Sequence, residues 1–441
     1  MSVPVSRTLL PACLFGIGFA GAHVPAAPPV EPKQMLLHSR AAVTSVTVSE
    51  PSIVHEDGAA PPYYSRYIPL LKLHDGSIIL IGRTDKILRS SDGGRTWQAQ
   101  QVAISRFQAL QRRDGSFYLL KRGVKPSERP GIFLAGHMKL NGLGDFEHID
   151  DESWQETAIS VPRFKPVIAD DYKTVSRAPH LELAHELPDG TLLGLSYGNF
   201  VGDDVPISGF DTKLGVAPMY RTYMLSSTND GKNWEYLSTI AYDGKTGQES
   251  FCEPAIVDFG GGELLAIMRT GRYAPLFQCR SRDGGRTWTE PVSLETLGLR
   301  PRMTLLENGI LACSFGWRPM RYIYWEDPNG GYYPAGLADY HKRYKSQVGI
   351  EDPSAAAGDY VMFSPDKGYT WSQPRKIAEP LTQRYTQIAA PGADSCVVLS
   401  YRFVLPGKSL GETLRIWEND SEHFLRDMKT LYEARRITVR P

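Results

Sequence analysis

The feature that most limits how this chain can fold is a phrase it repeats: an apolar strand, a tight turn with Asp-Gly or similar, and a second apolar strand. The turns fall at Asp75-Gly76, Asp114-Gly115, Asp189-Gly190, Gly261-Gly262, Asn308-Gly309 and Ala393-Asp394. Asp-Gly and Asn-Gly supply the positive φ that two-residue hairpins require. A hairpin cannot bury both of its faces alone, so a chain that repeats it must stack the copies. Six copies predict an all-β fold, a six-bladed β-propeller, whose closure leaves only short, protected sheet edges. A second repeat is more specific. Ser90-Ser91-Asp92-Gly93-Gly94-Arg95-Thr96-Trp97 returns as Ser281 to Trp288 and as Ser364 to Trp371, with a weaker copy from Ser227 to Trp234. In the form S-x-D-x-G-x-T-W, Ser and Asp bond the turn's own backbone, Gly relieves it, and Trp buries against a neighbouring strand.

The size of 441 residues accommodates one large all-β domain or two ordinary ones. With 49 basic against 49 acidic side chains, the chain lacks the basic surplus of a nucleic-acid binder. Residues 1–22 read as a signal peptide: an apolar stretch over 8–19 precedes the small-residue site Ala20-Gly21-Ala22. Residues 23–42 are rich in Pro and Ala and read as a linker, and 43–441 as the propeller, so the protein is expected outside the cytoplasm, secreted or periplasmic. No later apolar run reaches the roughly 18 residues of a membrane span. Cys252, Cys279, Cys313 and Cys396 fit no CxxC metal spacing. They read as buried thiols, with one disulfide compatible with an oxidising compartment.

Counting outward from each turn locates a candidate site. Residues equally far before and after a turn lie side by side in an antiparallel hairpin. Eight positions out, the pairs are Tyr67/Arg83, Arg106/Arg122, Leu181/Tyr197, Glu253/Arg269, Arg300/Gly316 and Tyr385/Tyr401. These strand ends can gather around a propeller's central funnel. Hairpin packing does not call for polar groups there, yet the level collects Glu253, Tyr385 and five arginines. That composition suits an anionic sugar; inter-blade salt bridges are the structural alternative for any single Arg.

The S-x-D-x-G-x-T-W segments are Asp boxes, and over roughly residues 45–441 the chain resembles the sialidase superfamily. The resemblance implies a six-bladed fold with the boxes away from the substrate face. It also implies that Glu253-Pro254 with Arg269-Thr270 bears the catalytic Glu and a carboxylate-binding Arg, and that Tyr385-Thr386-Gln387-Ile388, closed by Tyr401, bears a nucleophilic Tyr. A neutral phenol avoids the repulsion that a carboxylate nucleophile would meet at a sugar carrying its own carboxylate, provided Glu253 takes the phenol's proton. For Tyr385 the structural alternative is a buried ring with a satisfied hydroxyl.

Three stretches depart from the family pattern. In Ser65-Arg66-Tyr67-Ile68-Pro69, Tyr67 stands where the family has its first substrate Arg, and Arg66 is one residue early, which in a strand faces the other way. No Arg precedes the box at Ser364 within residues 351–363. Asp85 is the one candidate for the acid/base Asp between the first hairpin and the first box, with a turn cap as its alternative. Arg83, Arg106, Arg122 and Arg300 offer other ways to hold a carboxylate, as in a uronic or another ulosonic acid. His180, at the funnel end of the third hairpin, is a second acid/base candidate, with a satisfied structural His as the alternative. The long aromatic stretch from Trp317 to Gly358 is expected to wall the pocket, by stacking on sugar rings or as a protein-contact surface. At the end of the chain, residues 413–417 and 436–439 read as strands with a short helix over 421–433 between them, and the strand near 44–54 as completing the last blade.

The resulting expectation is a cofactor-free exo-glycosidase acting on a terminal acidic sugar of a glycan, with Glu253 and Tyr385 as base and nucleophile, Arg269 holding the acid group, and Asp85 or His180 supplying the leaving-group proton. A non-catalytic glycan-binding propeller and a polysaccharide lyase using His180 and Tyr385 are the rivals.

Overall fold

The computed structural model describes residues 45–57, 69–81, 86–102, 107–150, 152–169, 172–176, 178–207, 218–247, 249–271, 274–317, 356–379, 385–419 and 427–440. Among these, six strands line one cavity: β1 (Leu70–Lys72), β2 (Phe107–Gln111), β3 (Glu182–Glu186), β4 (Cys252–Asp258), β5 (Leu299–Leu305) and β6 (Gln387–Gly392). Each opens an antiparallel meander running outward. That of β4 continues through Leu264–Arg269, Pro275–Ser281 and Val292–Leu297, and those of β1 and β5 have the same four-strand order. The β2 and β3 meanders join at their outer edges, where Gln155–Ser160 pairs parallel with Asn233–Ala241 to make one nine-stranded sheet.

The sixth meander is closed by both ends of the chain. Beyond β6 it runs through Ser395–Val404 and Lys429–Arg440, and the latter strand pairs with Ser45–Val48 and Ser52–Asp57. The expectation that the first strand completes the last sheet is met in this pairing.

Strands such as Ile78–Ile81 and Leu264–Arg269 are apolar without alternation, the pattern of strands buried on both faces. Successive side chains point to opposite faces, so one strand feeds two cores. Ile79 and Ile81 pack toward the β2 meander, whereas Ile78 and Leu80 pack toward the β6 meander. The described core is accordingly six apolar clusters, each between two consecutive meanders, the last joining the sixth to the first. Sheets arranged in a ring about a cavity make a propeller-type fold.

The hairpin turns differ in detail from the two-residue form expected. In the first, the Leu73 N–H donates to Ser77 O (2.8 Å) and the Gly76 N–H to Leu73 O (3.0 Å), which encloses three residues. Only Gly76 takes positive φ, at 80°, and Asp75 instead accepts the Ser77 N–H through its carboxylate. The turns at Gly115, Gly190 and Gly309 repeat this pattern. This is a type I turn followed by one left-handed residue, the next commonest hairpin loop.

The C-terminal expectation is corrected. Residues 413–417 lie in an α-helix, Leu410–Asn419, and the last strand starts at Lys429, inside the stretch read as helical. A capping box starts the helix early: the Glu412 N–H donates to Ser409 Oγ, and the Ser409 N–H donates back to Glu412 Oε2 (2.8 Å).

The three S-x-D-x-G-x-T-W turns and the weaker copy at Ser227–Trp234 join the third and fourth strands of their meanders, away from the cavity. At Ser281–Trp288, the Ser281 hydroxyl donates to Asp283 and accepts the Gly285 N–H, while Asp283 accepts from Arg286 N, Thr287 N and Thr287 Oγ1. Ser90, Ser227 and Ser364 each make the same pair of serine bonds. All four tryptophans pack into an inter-sheet cluster. The hydrogen bonds of Thr287, aided by those of Ser281 and Arg286, hold the Asp283 carboxyl down at about 2. A group depressed in this way stabilises the fold above its ordinary pKa of 3.8 and loses that contribution as the pH falls toward 2. Asp283→Ala removes the shared acceptor and should cost about 1–3 kcal/mol in urea unfolding at neutral pH. The gap to wild type should close as the medium is acidified.

Candidate active site

The cavity between β1 and β6 has an empty volume of about 810 Å³, mouth included, and is lined by charged and amide groups as well as backbone. Those groups are Arg122, His180, Glu182, Arg300, Arg302 and the amides Gln108 and Gln387. Arg300 was expected here. Glu182 and Arg302 were not, and the reason lies in the strands.

Four of the inner strands carry one extra residue, β6 between Ala389 and Gly392 beside its turn and three others deeper in the strand. The β3 register slips between Leu183 and His185, that of β4 between Cys252 and Ala255, and that of β5 between Leu299 and Arg302. A β-bulge of this kind turns every later side chain by one position, so symmetric counting from the turn misses by one. Cys252 stands opposite Arg269, Leu299 opposite Gly316, and it is His180 whose ring meets that of Tyr197 at 6.5 Å. The bulges also force Glu253 and Arg300 to positive φ, 47° and 45°. These are left-handed conformations that cost non-glycine residues of order 1 kcal/mol or more. Strain recurs at equivalent places in consecutive sheets, and each time it aims a charged side chain.

Glu253 is the centre of the arrangement and is 6 % exposed. Its Oε1 accepts the hydroxyl of Tyr385 at 2.8 Å. Its Oε2 accepts the Arg300 N–H at 3.1 Å and pairs with Arg269 Nη1 at 3.0 Å. Burial alone would raise the Glu253 pKa. The charges of Arg269 and Arg300, with the Tyr385 hydrogen bond, outweigh burial and bring it to about 2. Glu253 is therefore a carboxylate at neutral pH, in hydrogen-bond contact with a buried phenol. The Arg300 guanidinium lies 5.5 Å from the centre of the Tyr385 ring.

Glu182 forms a second charged centre across Arg300. Arg300 Nη2 reaches its Oε2 at 3.4 Å, and Arg302 pairs with its Oε1. Burial pushes the Glu182 carboxyl up, but Arg302 and Arg300 hold it below the usual range. The backbone on either side is clamped by Gln108, whose Nε2 donates to Leu181 O (2.7 Å) and whose Oε1 accepts the Leu183 N–H (2.9 Å). The signal for Glu182 in the sequence was its place two residues beyond His180, at the start of β3. Burial depresses His180 to about 4, with Arg300 and Arg122 adding to the effect and Glu182 opposing it. Its imidazole is neutral at neutral pH and is a weaker base than an ordinary histidine.

Other expectations meet different fates. Arg269 is beside Glu253, but its second arm pairs with Glu249 at 2.8 Å and the side chain is only 8 % exposed, so both arms already hold protein carboxylates. Tyr401 is packed edge-on against Tyr432 in the cluster between the first and sixth meanders. Its hydroxyl has no hydrogen-bond partner among the described residues. Trp317 is fully buried in the cluster between the fourth and fifth meanders, which corrects the expectation that it walls the pocket. Trp317 ends a strand, Leu311–Trp317, that is buried on both faces, so its apolar side chain meets a core rather than the cavity. Arg66, Tyr67, Arg83, Asp85, Arg106 and the aromatic stretch after Trp317 lie outside the described residues. Cys252, Cys279, Cys313 and Cys396 are buried free thiols. Among the described residues, no helix is long and apolar enough to cross a membrane.

A scan against models of known protein families finds no match, and a search of curated protein sequences finds none either. Among solved structures, the chain is similar to a protein of unknown function from Dyadobacter fermentans, at 14% identity and TM-score 0.53, over 90% of this chain and all of that one. That likeness shows a shared fold. Looser similarities include the Penicillium chrysogenum alpha-L-arabinanase solved with arabinobiose, at 12% identity and TM-score 0.48 over 88% of this chain and 98% of that one. The NanB sialidase of Streptococcus pneumoniae is similar at 11% identity and TM-score 0.47, over 89% of this chain and 70% of that one.

The geometry makes a stability prediction. Removing Arg269 leaves Glu249 and Glu253 buried without the cation they share, so Arg269→Ala should lose about 3–5 kcal/mol in urea unfolding at neutral pH. The Glu253 contribution has the opposite pH sense to a basic group. It is complete above the ordinary carboxyl value of 4.5 and is lost as the pH falls toward about 2. The advantage of wild type over Glu253→Gln should therefore shrink on acidification.

Proposed function

We propose that the chain is a six-bladed propeller and an extracellular glycoside hydrolase that releases a terminal acidic sugar, sialic acid or another ulosonic or uronic acid, from a glycan bound at the central cavity. The observation that carries this reading is the 2.8 Å hydrogen bond from a buried Tyr385 to an ionised Glu253, which also accepts the backbone N–H of the cavity-lining Arg300. A phenol is a poor nucleophile until a base takes its proton, and a carboxylate in direct contact is that base. In the reaction, Tyr385 Oη bonds to the anomeric carbon as its proton passes to Glu253 Oε1. The bond to the departing glycan oxygen breaks, and that oxygen takes a proton from an acid group, for which Asp85 is the candidate. Water then gives a proton to the now-ionised acid group and cleaves the tyrosyl intermediate at the anomeric carbon, with Glu253 returning its proton to Tyr385.

Among the described residues lining the cavity, Arg122, Arg300 and Arg302 are set against the carboxylate of Glu182, a balance that supports an anionic substrate. Because Arg269 is engaged on both arms, the substrate's acid group is assigned to those three rather than to Arg269. Glu182 is placed to accept hydrogen bonds from the sugar's hydroxyls or to face positive charge developing at the anomeric centre. Residues 1–22 are taken as the secretory signal, and no cofactor is required by this chemistry. His180 favours one second reading. His180 is unprotonated at neutral pH and lines the cavity beside Arg122, Arg300 and Arg302, which would hold a uronic carboxylate while the imidazole took the neighbouring proton, the first step of a polysaccharide lyase.

The test is to incubate the purified protein, Glu253→Gln and Tyr385→Phe with a panel of acidic-sugar glycans and identify products by mass spectrometry. A hydrolase releases one terminal sugar carrying the mass of water, with at least about 100-fold loss in both variants. A lyase product lacks that water and absorbs in the near ultraviolet. Binding by all three proteins without release identifies a glycan-binding propeller and ends the catalytic reading.

A further inference from the structure

Glu249 has no place in the mechanism above and does not line the cavity, yet it is a buried acid joined to the reacting pair. Its Oε1 holds Arg269 Nη2 at 2.8 Å, while Arg269 Nη1 holds Glu253 Oε2 at 3.0 Å. Its other oxygen accepts the Cys252 thiol at 3.4 Å. Cys252, Glu249, Arg269, Glu253 and Tyr385 thus form one buried row. The segment 249–253 is built to hold it. The Glu249 N–H donates to Thr270 O (3.0 Å), Glu249 O accepts the Tyr220 N–H (2.8 Å), and the Phe251 N–H donates to Tyr220 O (3.2 Å). Ser250 and Glu253 both take positive φ, 56° and 47°, which brings two carboxylates onto one guanidinium within five residues.

Two acids on one buried cation is a costly arrangement unless each restrains the other. Guanidinium forks prefer to grip a single carboxylate with both arms. Were Arg269 to do so with Glu253, it would tie up the oxygen pair that must accept the Tyr385 proton and would disfavour the protonated carboxyl more strongly. We infer that Glu249 is a positioning residue of the active site: by occupying one arm of Arg269 it divides that cation between two carboxylates and leaves Glu253 able to take the proton of Tyr385. This rests on the proposed roles of Glu253 and Tyr385. The charged and titratable groups facing the pair are Arg269, Arg300, Cys252 and Tyr385.

Steady-state kinetics of wild type, Glu249→Gln and Glu249→Asp on a released-sugar substrate test the inference, with thermal melting to verify folding. Glutamine keeps a carbonyl acceptor for Arg269 but loses the charge. Its kcat should fall about 10- to 100-fold with KM within about twofold, because Glu249 does not touch substrate. Aspartate keeps the charge and should restore most of kcat. A purely structural role would lower the melting temperature of both variants without this split. The inference is overturned by wild-type kcat in Glu249→Gln, by a change confined to KM, or by equal losses in the two variants. Absence of sugar release by wild type is a separate outcome that removes the catalytic reading itself, and this inference with it.

Discussion

Everything in this protein hangs on strands buried on both faces. Such a strand cannot be satisfied by one partner sheet, so each meander demands a neighbour on either side, and the demand ends only when the last sheet meets the first. The clusters between consecutive meanders are the physical form of that demand. Closure is made covalently economical by pairing the two ends of the described chain: Ser45 stands opposite Arg440, and Val48 opposite Ile437, within one sheet. Opening that seam would expose Val54, Tyr401 and Tyr432 on one side and Val46 and Ile437 on the other. The ring is held by burial, and the turns at the periphery serve it by delivering a tryptophan into each of four interfaces.

A ring built this way leaves a central space that its own strands must line, and charge there has to be neutralised internally. The cavity accordingly pairs its ions across sheet boundaries. Arg300 on β5 reaches Glu182 on β3 and, through its backbone, Glu253 on β4; Tyr385, ahead of β6, completes the contact. Further out, Arg112 and Glu186 do the same between the second and third meanders. The expectation that inter-sheet salt bridges would compete with ligand binding for these arginines has a physical answer. Both terminal nitrogens of Arg269 hold protein carboxylates, whereas Arg300 and Arg302 pair with Glu182 and, like Arg122, also face the cavity. A buried arginine can be structural and presented to a ligand at once, because its donors point in several directions.

Much of the fold was legible because turns and strands leave local signatures. Asp-Gly and Asn-Gly turns, unbroken apolar strands, and Ser–Asp turns ending in Trp each follow from interactions within a few residues. The helix at Leu410–Asn419 was equally local, announced by Ser409 and Glu412, and was missed because its apolar residues were read as a strand. Glu253, Arg300 and Tyr385 were found by counting from turns, but Glu253 and Arg300 were paired one residue out of register. A bulge is chosen by the packing of neighbouring sheets and leaves no mark at the residue that carries it. For the same reason Glu182, Arg302 and Glu249 went unremarked: each acquires meaning only from a side chain far away in the chain.

The sequence by itself determined that the chain folds into repeated two-face-buried hairpins and that acids, arginines and a tyrosine concentrate at one end of them. Those are consequences of hydrophobic pattern and turn chemistry, which act between near neighbours. The tertiary structure alone decided which of those groups touch. Contact between Glu253 and Tyr385, the sharing of Arg269, the clamping of Glu182 and the burial of Trp317 all depend on inter-sheet distances of a few ångströms and on one-residue slips in register. Such distances are fixed by ring closure and core packing across the whole chain, so no stretch of sequence carries them.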